Sequence, residues 1–399
     1  MTRLCRNLLA SALVLGHLPI SLASTTLYVN GVSGSDTSNC MSVQTACKTI
    51  GHAVSIASSG DSIRVAAATY TEHLTIGFSL NLIGSGASTT IIDGAYANSV
   101  LTISSASADV GISNVTITHG GGQYGAGIYN NGTLTINSSS INGNAASYQC
   151  RYGYCGAQGG GIFNTGNGTL TINNSTISGN SASARCTFLS GPCHGANSFG
   201  GGIFNGGKLT MNNNTLSGND VGVSCFTSPI GYRCAAGGGG IASSGTLATL
   251  AINNSTISGN STNAQCNLKP CLAYAGGIYN SGVLYAATIQ NSIVSSNAQG
   301  NCYVIKSDSY NLSSDGTCHF DNVGDLNNTD PKLGPLQNNG GPTETMALSS
   351  VSPAIDAGNP SGCTDGLGHL LKTDQRGMPR PDREDTGGCD MGAYESQSD

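Results

Sequence analysis

Charge is scarce in this chain. Asp, Glu, Lys and Arg together make up 9% of its 399 residues. No basic cluster exists, which removes the electrostatic footprint that nucleic-acid binding requires. Beyond the N-terminal leader no apolar run is long enough to cross a bilayer as a helix. Acids are scarcest in the middle: from Gly111 to Gly300 Asp220 is the single acid, against five bases. Glycoside hydrolysis uses a pair of carboxylates, and lyase-type proton abstraction uses a calcium cluster with a base. One acid supplies neither. Helical periodicity is also missing from this stretch. Low charge with much Gly, Asn, Ser and Thr would suit a disordered chain, but Ile, Leu and Val recur too regularly for that.

What is present is repetition. Four segments, GAGIYNNGTLTINSSSINGN, GGGIFNTGNGTLTINNSTISGN, GGGIFNGGKLTMNNNTLSGN and GGGIASSGTLATLAINNSTISGN, end at Asn144, Asn180, Asn219 and Asn260, and a degraded fifth ends at Asn297. Their anchoring isoleucines are Ile128, Ile162, Ile203, Ile241 and Ile278. Each copy contains three short β-type pieces: G-I-F/Y-N, an alternating piece such as Thr169-Leu170-Thr171-Ile172, and a third such as Ser175-Thr176-Ile177. Gly and Asn, which tolerate left-handed backbone, separate them. Three strands turning one way per copy make one coil of an all-β, right-handed parallel β-helix. Stacking turns the Ile and Leu of separate coils into one core, and the recurring Asn residues should form ladders between coils. Weaker coils precede these at Ser62 to Ile76, Leu80 to Ile92 and Val100 to Thr118. Ile50, Ala53, Val54 and Ala57 have helical spacing and predict a helix capping the open end. The expected total is nine or ten coils, about 45 Å long at the usual strand spacing.

The domain reading follows. Arg3 and Arg6, the apolar run Leu8 to Leu22 and Ser21-Leu22-Ala23 describe a signal peptide over 1–23. An N-terminal cap spans 24–61, the β-helix 62–318 with clear repeats over 126–298, and a C-terminal capping module 319–399. The protein is expected to be secreted, at the cell surface or in the periplasm.

Fourteen cysteines follow the leader. Inserts between coils carry one pair each: Cys150 and Cys155, Cys186 and Cys193, Cys225 and Cys234, Cys266 and Cys271. Cys40 and Cys47, Cys302 and Cys318, and Cys363 and Cys389 lie outside them. Pairing of neighbours is the simplest connectivity for an exported chain. Zinc is the competing reading, without nearby His pairs to support it. The inserts fall at one place in successive coils, so they are expected to project from one side as disulfide-stapled loops. Each also carries a base and an aromatic: Arg151 with Tyr148, Tyr152 and Tyr154; Arg185 with Phe188; Arg233 with Phe226 and Tyr232; Lys269 with Tyr274. A row of rings and cations suits binding of a glycan or a protein by stacking and charge. These eleven residues are the candidate ligand-binding set; no catalytic residue and no metal ligand is assigned.

Other constellations are thinner. Glu72 and Asp93 are the acids from which a catalytic pair in the early coils would be assembled. His119 before Gly120-Gly121-Gly122 is similar to an esterase oxyanion loop, without the G-x-S-x-G elbow that would accompany it. Thr133, Thr135, Thr169 and Thr171 form a T-x-T array of the kind ice-binding solenoids use, broken at Lys208 and Ala251; the β-propensity of Thr explains it as well. No cofactor is called for; calcium at Asp321 and Asp325 is considered as a reading of the acid-rich end.

After Cys318 the character changes. TDPKLGPLQNNGGPTETMALSSVSPAIDAG (329–358), TDQRGMPRP and CDMGAYE, ending at Glu395, resemble the choice-of-anchor Q domain family of bacterial secreted or surface proteins. LYVNGVSGSD, GDSIRV and TYTEHLTI are similar to the N-terminal part of such proteins, and the Gly-Gly-Ile and S-G-N spacing to bacterial surface adhesins. The resemblance implies a pectin-lyase-like β-helix and an anchoring signal beyond the module. It implies no established reaction, so no catalytic residue carries over. The sequence has no hydrophobic or basic tail after Glu395, and we expect release. Asp374, Arg376, Arg380 and Asp390 are expected to form ion pairs folding the tail over the last coil. The functional expectation is a non-catalytic scaffold binding extracellular glycan or protein; the alternative is a carbohydrate-active enzyme, a lyase or glycosidase.

Overall fold

The computed structural model describes residues 24–151, 153–187, 193–226, 234–266, 271–282, 286–383 and 388–397; the expected leader lies outside them. The chain is a right-handed parallel β-helix with three long sheets. Sheet I has ten strands, sheet II nine and sheet III eight, and in each a strand pairs with its counterpart one coil along. Nine spacings of about 4.8 Å make sheet I about 43 Å across.

The repeats explain the coil. In Thr133–Asn137 and Thr169–Asn173, Leu and Ile point inward with Thr outward, and the strands pair in register, Leu134 with Leu170 and Ile136 with Ile172. One asparagine in left-handed backbone then turns the chain from sheet I to sheet II: Asn174 (φ 50°), Asn213 (54°), Asn254 (47°) and Asn291 (49°). Asn tolerates this conformation better than most side chains. The closing Asn of each repeat forms a buried ladder, Asn144 to Asn180, Asn219, Asn260 and Asn297, each Nδ2 donating to the next Oδ1 at 2.9–3.0 Å. These amides satisfy one another and nearby carbonyls where water does not reach. Helix Ile50–Ile56 covers the first coil, buries Ile50, Ala53 and Val54, and is N-capped by Thr49, whose hydroxyl accepts from the His52 N–H.

Two features differ from the sequence reading. The inserts are strands, not loops. Ala145–Cys150, Ser181–Thr187, Asp220–Phe226 and Ser261–Cys266 form one four-stranded parallel sheet leading outward. Gly153–Gln158, Cys193–Phe199, Cys234–Gly237 and Cys271–Ala273 form a second leading back. The two sheets face each other as an arm standing off the body between sheets II and III. Its interior is Ala146, Ala157, Ala182, Ala184, Ala196, Val221, Val223, Ala236 and cysteines. Cys150–Cys155, Cys225–Cys234 and Cys266–Cys271 close its tip, and Cys186 is also disulfide-bonded. The sulfurs of Cys150 and Cys186 lie 3.6 Å apart, so the bonds stack from layer to layer. Outside the arm, Cys40–Cys47, Cys302–Cys318 and Cys363–Cys389 are joined.

The second difference is the tail. It covers the last coils, where Leu348, Ala354 and Met391 pack on Ile293 and Leu312, and it also runs back along the outer face of sheet II. Asn213 Nδ2 donates to the Thr373 carbonyl (2.9 Å), Asn254 Nδ2 to Thr364 (2.7 Å), Gln375 Nε2 to Thr176 Oγ1 (2.9 Å), and the Ala393 N–H to Thr256 Oγ1 (3.1 Å). Thr176, Thr215 and Thr256 stand in register on sheet II and offer hydroxyls at coil spacing, and the tail uses them as a rail. Within the tail, buried Arg376 pairs with Asp374 (2.7 Å) and lies 3.6 Å from the Tyr394 ring centroid, and buried Arg380 pairs with Glu395.

Candidate functional site

The middle residue of each G-I-F/Y-N piece points out of sheet III, because alternation sends Ile and Asn inward. Parallel register places these outward residues in one column: Tyr129, Phe163, Phe204, Ala242, Tyr279 and Tyr303. Phe163 and Phe204 stack at 5.1 Å with 7° between planes, and Tyr279 and Tyr303 at 5.3 Å and 24°. At Ala242 the column lacks a ring. There Phe199 leans in from the arm and stacks on Tyr279 at 5.4 Å, and Tyr274, also from the arm, stacks at 4.7 Å. Gly237 permits this: a Cβ there would sit 3.1 Å from the Tyr279 ring.

The arm's returning sheet and sheet III therefore form a groove with an aromatic corner. Its deepest part, about 380 Å³, is lined by Tyr154, Asn197, Phe199, Ala235, Leu272, Tyr274 and Tyr279. All of these are uncharged. Burial raises the Tyr154 phenol, reinforced by the neighbouring Tyr124. Burial also raises Tyr279, against a hydrogen bond from Ser281. Both phenols stay neutral through ordinary pH. The column rings face one another, so they offer their edges to solvent, and among the described residues the Tyr129, Tyr154, Tyr274 and Tyr303 hydroxyls make no hydrogen bond. Tyr154 is 58% exposed on the wall. Among the described residues the groove offers ring surface, phenol hydroxyls and a carboxamide, with no ionic group.

No family model matches the chain, and no curated protein does. Among solved structures it is similar to the pectin methylesterase from Aspergillus niger (18% identity over 77% of this chain and 87% of that one, TM-score 0.31). It is also similar to pectate lyase Pel9A (13%, 94% and 97%, TM-score 0.35) and to the GH136 lacto-N-biosidase from Eubacterium ramulus (10%, 72% and 60%, TM-score 0.26). These neighbours are pectin-lyase-like parallel β-helix proteins.

The candidate set divides on this geometry. Tyr154 and Tyr274 enter the groove. Arg185 lies on the opposite, outgoing sheet of the arm, in register with Gln149 and Ser224. Arg151 is exposed at the tip, and Tyr148 sits in the arm's inward register beside Ala184, 40% exposed at its first layer. Among the described residues, Arg185 is thus not presented with Tyr154 and Tyr274, because it stands on the outgoing sheet while they lie on or next to the returning one. Tyr152, Phe188, Tyr232, Arg233 and Lys269 lie outside the described residues, as does the Phe226 side chain. The sequence reading passed over Tyr129, Phe163, Phe204, Tyr279 and Tyr303. Their signal was the period-2 alternation within G-I-F/Y-N.

The early acids have other partners. The Glu72 carboxylate accepts from the Ile50 and Gly51 N–H groups at 2.9 and 2.7 Å and holds the helix N-terminus. Asp93 Oδ2 lies 3.0 Å from His119 Nδ1, and Oδ1 accepts from the Ala95 N–H. Desolvation would raise the Asp93 pKa, but these hydrogen bonds and the His119 charge outweigh it and hold it below the usual range. Asp325 accepts from Ser307 Oγ, the Asn311 N–H and the Asn322 N–H, which closes a loop at the end of the stack. No described helix is long and apolar enough to cross a membrane.

Proposed function

We propose that this protein is an extracellular glycan-binding scaffold whose aromatic groove takes an uncharged stretch of polysaccharide. The observation that carries the reading is the groove itself, about 380 Å³, ring-lined, hydroxyl-bearing and, among the described residues, free of ionic side chains. Sugars present C–H faces to rings and hydroxyls to phenols and amides, and a neutral groove does not favour a polyanion. The stapled arm supports an oxidising location, and the choice-of-anchor Q resemblance agrees with a secreted or surface protein. The carbohydrate-active enzyme reading has less support, since no carboxylate lines the groove among the described residues.

The test is binding of the full chain to a soluble neutral β-glucan and to polygalacturonate, with product analysis. We expect binding to the neutral polymer, weakened about tenfold in Tyr154→Ala/Tyr274→Ala, which corresponds to about 1.4 kcal/mol for two lost ring contacts. Binding of polygalacturonate alone, or release of cleaved product, would overturn the reading.

A further inference from the structure

A second cleft lies on the other side of the arm, where the returning tail passes over sheet II. It measures about 270 Å³, near the small end of ligand pockets, and is lined by Ser88, Thr116, Ser140, Asn142, Asn338 and Glu344. Its floor is the outer face of early coils, in which Thr116, Ser140 and Thr176 stand in register. Its roof is the 338–344 turn, and the roof is pinned. Gln375 Nε2 donates to Thr343 Oγ1 (2.9 Å) and to the Glu344 carbonyl (3.0 Å), which also accepts from Thr176 Oγ1 (2.5 Å). Gly341 packs so closely on Arg376 that a Cβ would lie 2.5 Å from its Cα. The cleft is therefore preformed.

The polar groups it leaves open to solvent define what fits. The Thr116 hydroxyl is used on the Ala87 carbonyl (2.6 Å), and Asn142 Nδ2 donates to Ser140 Oγ (3.1 Å). The Glu344 carboxylate, the Ser88 hydroxyl and Asn142 Oδ1 have no partner among the described residues. Hydroxyl and amide groups call for a polyol; a lone carboxylate, with no cation lining the cleft, calls for a positive charge on it. Glu344, brought by the tail, is the acid among the residues that line the cleft.

We propose that this cleft is a binding site for a small cationic polyol, an amino sugar, with Glu344 receiving the ammonium group and Ser88, Ser140 and Asn142 the hydroxyls. The proposal does not depend on the aromatic groove. Ligand-observed NMR on the full chain compares glucosamine, N-acetylglucosamine and glucose. Glucosamine should bind at least about tenfold more tightly than the other two, equivalent to about 1.4 kcal/mol. Glu344→Gln, an exposed change that keeps shape, should abolish that preference, and Tyr154→Ala should leave it intact. Equal binding of all three sugars, no binding of glucosamine, or a preference that survives Glu344→Gln would overturn the proposal.

Discussion

The body and the arm use one backbone pattern, in-register parallel strands, with opposite interiors. The body is filled by Ile128, Ile162, Leu170, Ile172, Ile177 and their repeats, all fully buried. The arm is filled by alanine, valine and cystine. The reason is distance. Stacked sheets usually stand about 10 Å apart, whereas the arm's facing strands at the tip are separated by Cα–Cα distances of 5.9, 6.6 and 5.9 Å. Only side chains of one to three heavy atoms fit such a gap. A layer that thin buries little apolar area, and covalent closure supplies the order that burial does not. Each short loop gains about 2–3 kcal/mol by the chain-entropy account.

The comparison can be broken in three places. The largest effect is expected in the body: Ile177→Ala removes a fully buried side chain between Ile141 and Leu216 and should cost about 2–5 kcal/mol, read as a lower denaturation midpoint. A midpoint unchanged from wild type would mean that the body core is not the main source of cooperativity. The next is in the arm. Cys225→Ala/Cys234→Ala should lower local stability by about 2–3 kcal/mol, seen as faster hydrogen exchange in the Asp220–Phe226 strand while exchange in Lys208–Asn212 stays slow. If both strands exchange together, arm and body are one cooperative unit and the contrast fails.

The most local effect is confined to the tail and should leave body melting unchanged. Burial pushes the Glu395 carboxyl up to about 8 from 4.5, against the pull of Arg380 and with Asp390 adding to the rise. The native tail then holds a proton that the unfolded tail releases. Its contribution to docking is complete below about pH 4.5 and is lost as pH rises through about 8. Exchange of the 373–397 segment should quicken across that window, and Glu395→Gln should flatten the dependence. Faster exchange on acidification instead would reverse the sign.

Much of the body was legible because each coil repeats a pattern whose meaning is local: Leu and Ile at alternate positions, Asn at the turn, Gly at the coil start. The arm carried an equally local signal that was passed over. Ser181-Ala182-Ser183-Ala184-Arg185-Cys186 alternates small apolar and polar residues, but alanine is a weak marker of a strand interior and the cysteines read as loop staples. The groove was half legible. Tyr154 and Tyr274 were singled out for their place in the inserts, while Phe163 and Phe204 were absorbed into the repeat as if they were core. The tail's path was not legible, because the pairing of Asn213 with Thr373 joins residues 160 apart and depends on where the turn at the end of the stack aims the chain.

The left-handed asparagine turn and the insert belong to the same repeating unit, and this sets how such a molecule can change in length. Duplication of one unit adds a rung to every sheet at once: core, ladder, aromatic column and cystine-tipped arm. The groove would lengthen by about 4.8 Å per duplicated rung without any new interface being invented. Loss of an aromatic in one unit, as at Ala242, leaves a vacancy that a neighbouring rung can cover with Phe199.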